Sequence, residues 1–395
     1  MEKVIPYGKH FIDQDDIDAV VDVLTNHPLT QGKEVSNFER SVAEFVGAKY
    51  AVAMSSWTAG LHMACIVAGV NETNKVITSP ITFVASSNAS FYCGSKPVFS
   101  DINKNTINLC PAYLESTLNN NRNIKAIIPV HFSGAPCEME KIKNIADKKN
   151  AMVIEDAAHA LGAKYSDGSM VGSCKYSDMT GFSFHPVKSI AAGEGGMITT
   201  NNKDIYRRLI RLRSHGINKS DDDLLYNGAA HTGDIKNPWY MEMQELGYNY
   251  RITDIQCALA NSQLKKLPAF IKRRSELAKR YDRAFSNFEP ISPIQPQFRD
   301  QSSNHLYVIR VNFNNSKQIS RAKLMTELHK INIVTQVHYI PVTSHPYYKE
   351  QGYNSDDYPN ALNYYEEALS IPLYYSLTNA DQDKVIENLK SLIVR

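Results

Sequence analysis

The chain has 395 residues, 43% of them hydrophobic, which is enough for a large core and more than one compact domain needs. Its 43 basic and 41 acidic residues leave a formal charge of +2, without the basic excess of a nucleic-acid binder. Met1 to Gln14 lacks the apolar core of a signal peptide, and no run nears the roughly 20 apolar residues of a membrane span. The six cysteines, Cys65, Cys93, Cys110, Cys137, Cys174 and Cys257, show no CxxC pairing. They read as buried reduced thiols, so a cytoplasmic protein with no nucleic-acid or membrane partner is expected.

In chain order, Asp15 to Leu24 and Val35 to Val46 have helical spacing, separated by the turn Leu29-Thr30-Gln31-Gly32. Tyr50 to Met54 is a short strand, Ser55 to Thr58 a polar turn, and Ala59 to Val70 a helix. A strand, a polar turn and a helix start offer free N–H groups to an anion. Val76 to Thr78 is a strand, Thr82 to Tyr92 a helix and Pro97 to Ser100 a strand. Ile124 to Val130 is a strand, Glu138 to Lys149 a helix, and Ala151 to Ile154 a strand ending in Glu155-Asp156. Met179 to Phe182 and Met197 to Thr199 are strands. This alternation predicts an α/β fold around a mostly parallel sheet covered on both faces.

Asn201 to Arg213 is a basic helix, and Gly216 to Trp239 reads as a polar loop. Ile252 to Phe285 is helical, with a break expected near Pro268. Pro290 to Pro296 marks a switch to a second domain. His305 to Phe313 and Val334 to Ile340 are predicted strands, and Arg321 to Ile331 and Asp381 to Leu392 are predicted helices. The expected division is a large α/β domain over 1–250. Over 251–395 it is a linking long helix and a smaller C-terminal α+β domain.

The chemistry centres on Gly181 to Gly196, GFSFHPVKSIAAGEGG. Its one lysine, Lys188, is flanked by Phe182, Phe184, Val187 and Ile190, so desolvation is expected to lower its pKa and free it to attack a carbonyl. Ser56, Asp156 and Ser183 fall at or just beyond predicted strand ends, where groups in parallel sheets gather into one site. Each has a plainer alternative. Lys188 also reads as a surface lysine on a glycine-rich loop, Asp156 as a turn aspartate, and Ser56 or Thr58 as an ordinary helix cap. Taken together they are the parts pyridoxal phosphate needs: a Schiff-base lysine, an acid for the pyridine nitrogen and a phosphate cup. Phe83 is a candidate to cover the ring face, with plain core as its alternative.

The stretches IPYGKHFI, LTQG, FERSVAEFVGAKYAVAMSS, TAGLHMA, PITFVASSNA, PVFSDI, VIEDAAHALGA, FSFHPVKSIAAGEGGMITT, LGYNYRITDIQCALA, HLYVIRV, TQVHYIPV and IPLYYSLT run nearly end to end. Through them the chain resembles the DegT/DnrJ/EryC1/StrS sugar aminotransferases, which share the PLP-dependent transferase type I (aspartate aminotransferase-like) fold. FSFHPVK and QVHYIPV carry a narrower similarity. It is to members that aminate C4 of a UDP-linked 4-keto-6-deoxy-N-acetylhexosamine on the route to pseudaminic acid.

The resemblance implies a role for each matching residue. Lys188 would be the Schiff-base lysine and proton shuttle, and Asp156 the partner of the pyridine nitrogen. His159 would lie near the phenolic oxygen. Ser56, Thr58 and Ser183 would hold the phosphate, with Asn249 reaching it from the other subunit of a homodimer. Tyr7, Leu29, Thr30, Gln31, His338, Tyr339 and Pro341 would line the nucleotide-sugar pocket, with Arg251 and Tyr365 as further candidates. Trp57 departs from the small residue common in relatives, and an indole beside the phosphate cup is expected either to crowd the cofactor or to stack on it. L-glutamate is the expected amino donor, and no metal is expected. A sugar dehydratase on the same fold would carry histidine in place of Lys188. A dinucleotide oxidoreductase would need a G-x-G-x-x-G after the first strand, and none is present. A non-catalytic binding protein on the fold is opposed by the intact Lys188 and Asp156, and a family member acting on dTDP-sugars stays open as an alternative.

Overall fold

A computed structural model describes residues 3–219, 224–313 and 319–394. Two helices open the chain, α1 (Gln14–Asn26) and α2 (Lys33–Val46). There follow β1 (Tyr50–Met54), α3 (Trp57–Val67), β2 (Lys75–Thr78), α4 (Ala85–Tyr92), β3 (Val98–Phe99), α5 (Pro111–Asn120) and β4 (Ile124–Ile128). Then come α6 (Met139–Asp147), β5 (Met152–Asp156), β6 (Met179–Ser183), β7 (Gly196–Thr200) and α7 (Lys203–Arg213). The seven strands form one sheet in the order β1-β7-β6-β5-β4-β2-β3. β7 runs antiparallel to both neighbours and the other pairings are parallel. The carboxyl ends of β1, β2, β4, β5 and β6 therefore share one edge.

Alternation along the strands feeds two cores. In β1, Ala51 and Ala53 face the layer of α2, α5 and α6, whereas Val52 and Met54 face α3, α4 and α7. In β5, Val153 faces the first layer and Ile154 the second. The period of two then sends the next pair apart as well. Glu155 turns into the first layer, where His131, Tyr165, Ser177 and Thr180 all bond to it. Asp156 turns to the α3 and α4 side. The glutamate is fully buried and spent on structure, and only the aspartate reaches a cavity.

Short pieces follow α7: β8 (Ile217–Asn218), α8 (Asn227–Ala230), β9 (His231–Thr232), β10 (Ile235–Lys236) and β11 (Glu242–Met243). The loop expected over 216–239 thus holds two small pairings, and its residues 220–223 lie outside the described residues. It is less polar than expected, since Leu225, Tyr226, Ile235 and Trp239 are all exposed on it.

The long helix α9 (Asp254–Phe285) is continuous across Pro268. The expected break does not occur. Proline costs a helix interior about 3 kcal/mol, but Leu264 and Leu267 on one side and Phe270 on the other are buried, and that packing holds the line. The helix also joins the two halves of the molecule. Cys257, Leu264 and Leu267 sit in the first core, whereas Leu277, Tyr281 and Phe285 sit in a separate one. The passage between cores falls inside α9, ahead of Pro290.

The second core is built on β12 (Ile291–Pro293), β13 (Tyr307–Val311), α10 (Arg321–Lys330), β14 (Ala368–Ile371) and α13 (Asn379–Ile393), while α11 (Pro346–Glu350) packs Tyr348 with Phe99 and Val342, and α12 (Pro359–Glu367) packs Ala361 and Tyr364 with Ile81 and Phe132. Its sheet is antiparallel in the order β12-β13-β14. Ile5 packs in this core and bridges Ile333, so the start of the chain also docks on the C-terminal half. The strand expected over 334–340 is absent. Gln336 bridges Ser370, after which side chains take over: Tyr364 donates to the His338 carbonyl at 2.7 Å and Ser370 Oγ lies 2.8 Å from His338 Nδ1. These contacts replace a ladder and set His338 and Tyr339 on a bend.

All six cysteines are free, with Cys93 and Cys110 only half-buried. Among the described residues no helix is long and apolar enough to cross a membrane.

Candidate active site

The carboxyl edge of the large sheet opens into a cavity of about 500 Å³. Ser56 and Trp57 reach it from just beyond β1, Thr82 and Phe83 from beyond β2, and Val130 from beyond β4. Asp156 and His159 come from the end of β5, and Ser183 and Lys188 from the end of β6. The C-terminal half closes it with His305, Leu306, His338 and Tyr339, and the N-terminal segment adds Tyr7.

Lys188 is half-buried, and its amine is pulled down to about 8, first by desolvation, with the charge of Asp156 working the other way. A useful fraction is therefore neutral near pH 7, as a nucleophilic amine needs. Three of the four histidines that line the cavity are held neutral. Burial pushes His159 and His305 well below the ordinary range and His338 down to about 3, with the Lys188 charge adding to each. The cavity thus holds one buried carboxylate and one tuned amine beside three uncharged, buried imidazoles.

Ser56 caps α3, its hydroxyl accepting from the Ala59 N–H at 3.1 Å, so the ordinary cap and the cavity position coincide in one residue. The first N–H groups of α3, at Trp57 and Thr58, have no helical partner and lie at the cavity wall, as an anion would require. Gly196 makes room for that turn, because a Cβ there would lie 2.5 Å from the Ser56 carbonyl carbon. Phe83 is not core: it is 61% exposed at the cavity edge, its ring centroid 6.4 Å from that of Tyr339.

Trp57 departs from expectation. The indole does not stand over the phosphate cup. It is 5% exposed, packed against the sheet, and its Nε1–H donates to Asp156 Oδ1 at 2.9 Å. Its ring fills the space over Gly181, where a Cβ would fall 1.7 Å from Cη2. Ser86 Oγ donates to Asp156 Oδ2 at 2.6 Å.

The structure gathers Tyr7, Ser56, Trp57, Thr58, Phe83, Asp156, His159, Ser183, Lys188, His338 and Tyr339 around this cavity. Other expected residues lie elsewhere. Gln31 and Arg251 line a second depression of about 250 Å³ with Arg213 and Glu39. Leu29 accepts from the Asp254 N–H, Thr30 bridges Thr253, and Pro341 leads into a turn docked on Pro80. Tyr365 lies under the Arg321 guanidinium, outside the cavity wall; its neighbour Tyr364 is the one that supports His338. Asn249 is exposed and bridges Ser214 through its backbone, away from its own chain's cavity. Ser86, Thr82 and His305 are cavity residues that sequence reading passed over. His305 opens the HLYVIRV stretch, whereas nothing in the sequence separates Ser86 from Ser87.

The residues present fit pyridoxal phosphate. A tuned amine, a buried carboxylate and a helix N-terminus face one cavity, and the buried Nδ1 atoms of His159 and His305 lack any partner there. Comparison with known proteins agrees. The model of the DegT/DnrJ/EryC1/StrS aminotransferase family matches residues 10–390. The chain belongs to that family. It is 39% identical to the spore coat polysaccharide biosynthesis protein SpsC of Bacillus subtilis, over 98% of this chain and 97% of that protein. It is 38% identical to the UDP-4-amino-4,6-dideoxy-N-acetyl-beta-L-altrosamine transaminase of Campylobacter jejuni, over 99% and 98%. Among solved structures, PseC of Helicobacter pylori, an aminotransferase of pseudoaminic acid biosynthesis, superposes with a TM-score of 0.87 at 31% identity, covering 99% of each chain. The PLP form of the putative sugar aminotransferase Spr1654 of Streptococcus pneumoniae superposes at 0.88 and 28% identity, covering 99% of this chain and 98% of that one. The protein is therefore a PLP-dependent aminotransferase of the type I fold, and the dehydratase and non-catalytic readings give way to it.

Proposed function

We propose that the enzyme moves an amino group from L-glutamate to the C4 keto carbon of a UDP-linked 4-keto-6-deoxy-N-acetylhexosamine, in the biosynthesis of a surface-glycan sugar. The observation that carries the reading is the pairing of Lys188 and Asp156 in one cavity, in a chain 38% identical end to end to a transaminase named for such a sugar. At the same cavity Tyr7, Phe83, His338 and Tyr339 offer aromatic faces and polar tips, which suit the apolar faces and hydroxyls of a sugar ring.

Pyridoxal phosphate, when bound, supplies the carbonyl that carries the amino group and the ring that spreads negative charge left on carbon. The Lys188 amine would hold the cofactor, and its Nζ would take up and return a proton at the substrate carbon. Asp156 would supply the negative charge that keeps the cofactor's ring nitrogen protonated, and His159 would serve its phenolic oxygen. Ser56, Thr58, Ser183 and the start of α3 receive the phosphate.

The active unit in this reading is a cytoplasmic homodimer, with Asn249 of one copy completing the phosphate site of the other. Asn249 is exposed beside the stacked pair Tyr248 and Tyr250, whose ring centroids are 4.9 Å apart. Nearby, Leu225, Tyr226, Ile235, Trp239, Met241, Met243 and Leu246 are all more than half exposed, a density of apolar surface that points to a protein partner. Gln31 and Arg251, in the second depression, are candidates for the same interface.

The test is an assay with L-glutamate against UDP- and dTDP-linked 4-keto-6-deoxy sugars, scored by the amino sugar formed. The reading expects the UDP-linked N-acetyl substrate to be used best. Preference for a dTDP sugar would leave the transaminase and replace the substrate.

A further inference from the structure

Asp156 is held from three sides. Trp57 Nε1–H reaches Oδ1 at 2.9 Å and the Ala158 N–H reaches the same oxygen at 3.2 Å, while Ser86 Oγ–H reaches Oδ2 at 2.6 Å. The two side-chain donors come from the starts of different helices, α3 and α4, packed on one face of the sheet. Thr82 Oγ1 lies 2.7 Å from Ser86 Oγ. Since the single Ser86 proton goes to Asp156, Thr82 is the donor in that contact, which ties the loop carrying Phe83 to the carboxylate. The indole has no room to swing. A Cβ at Gly181 would lie 1.7 Å from its Cη2, and one at Gly60 would lie 2.6 Å from its Cε3. A large aromatic ring is thus wedged against two glycines with its N–H on a carboxylate oxygen. An ionised carboxyl has about four acceptor positions, and three are taken.

We propose that Trp57 and Ser86 are positioning residues: they clamp the Asp156 carboxylate from opposite oxygens and leave its remaining acceptor position for the protonated ring nitrogen of the cofactor. Neither acts on substrate. Both act through Asp156, so the proposal rests on the assignment of Asp156 made above. Without the clamp, the carboxylate samples other orientations and cofactor binding must order it.

A double-mutant cycle tests this. Trp57→Phe keeps the ring and removes the N–H, and Ser86→Ala removes the hydroxyl. Each is made in the wild type and in Asp156→Asn, and the pyridoxal phosphate dissociation constant is measured by titrating apo-protein, alongside kcat and apo-protein melting. In the wild-type background each change should weaken cofactor binding about ten-fold, as loss of a hydrogen bond to a charged group does. In the Asp156→Asn background each should change it less than two-fold, because the carboxylate charge they hold toward the ring nitrogen is gone. Ser86→Thr should restore binding. Equal fold-changes in both backgrounds would overturn the clamp and leave both residues as mere packing. If Asp156→Asn alone binds cofactor and turns over like the wild type, the assignment of Asp156 fails and the clamp falls with it. Should Trp57→Phe not fold, the Ser86 arm runs the same cycle on the opposite oxygen.

Discussion

The Tyr339 hydroxyl lies 3.2 Å from His159 Nε2, a hydrogen bond between side chains from the two halves of the molecule. Tyr339 stands on the bend that follows α10, and His159 follows β5 of the large sheet. The His159 ring also lies over that of His305, with centroids 4.5 Å apart. Because burial keeps His159 neutral, its ring has one donor and one acceptor nitrogen, and Nδ1 already lacks a partner. Tyr339→Phe would strand the other nitrogen too. The expected result is a loss of about 1 kcal/mol in unfolding free energy by urea denaturation, with kcat/KM for the keto sugar falling more than kcat. Unchanged stability and kinetics would mean the bond does not bridge the halves in solution.

The amine of Lys188 gives a pH signature before any substrate is added. Desolvation lowers it to about 8, against the opposing charge of Asp156. Covalent capture of pyridoxal phosphate by apo-protein needs the neutral amine, so its rate should rise about ten-fold per pH unit below 8 and level off above. An ordinary lysine would keep rising to about 10.4. Asp156→Asn removes the charge that favours the ammonium form, so the midpoint should move down. Stopped-flow absorbance over a pH series reads both, and a midpoint near 10 would contradict the buried-amine account.

The composite dimer predicts complementation. Lys188→Ala and Asn249→Asp proteins should each be nearly inactive alone. In a mixed dimer one site carries both lesions and the other neither, so activity should return toward half of wild type per dimer. No recovery in verified heterodimers would assign Asn249 to its own chain.

Much of this site can be read in the sequence because parallel sheets place function at strand ends. Ser56, Asp156 and Ser183 could be located by counting to where apolar runs stop, and Lys188 by the aromatic residues around it. Side-chain direction could not be read in the same way. The alternation in β5 sends Glu155 and Asp156 to opposite layers, and a one-residue uncertainty in the strand would exchange them. Trp57 next to Ser56 looked like a neighbour of the phosphate. That its indole turns under the sheet depends on the bareness of Gly60 and Gly181, the second of them 124 positions away. The strand expected at Val334 to Ile340 failed for a similar reason, since only Gln336 pairs with β14 through its backbone and His338 is held instead by the Tyr364 and Ser370 side chains. Pro268 marked a break that burial on both sides of it prevents.

The central claim is amino transfer to a nucleotide-linked keto sugar through Lys188. Its most direct test is to incubate wild-type and Lys188→Ala proteins with pyridoxal phosphate, L-glutamate and a UDP-linked 4-keto-6-deoxy-N-acetylhexosamine, and to follow the amino sugar by mass. The account predicts steady product from the wild type, and none from Lys188→Ala although that protein melts like the wild type. Comparable product from Lys188→Ala, or none from wild-type protein loaded with cofactor, would contradict it.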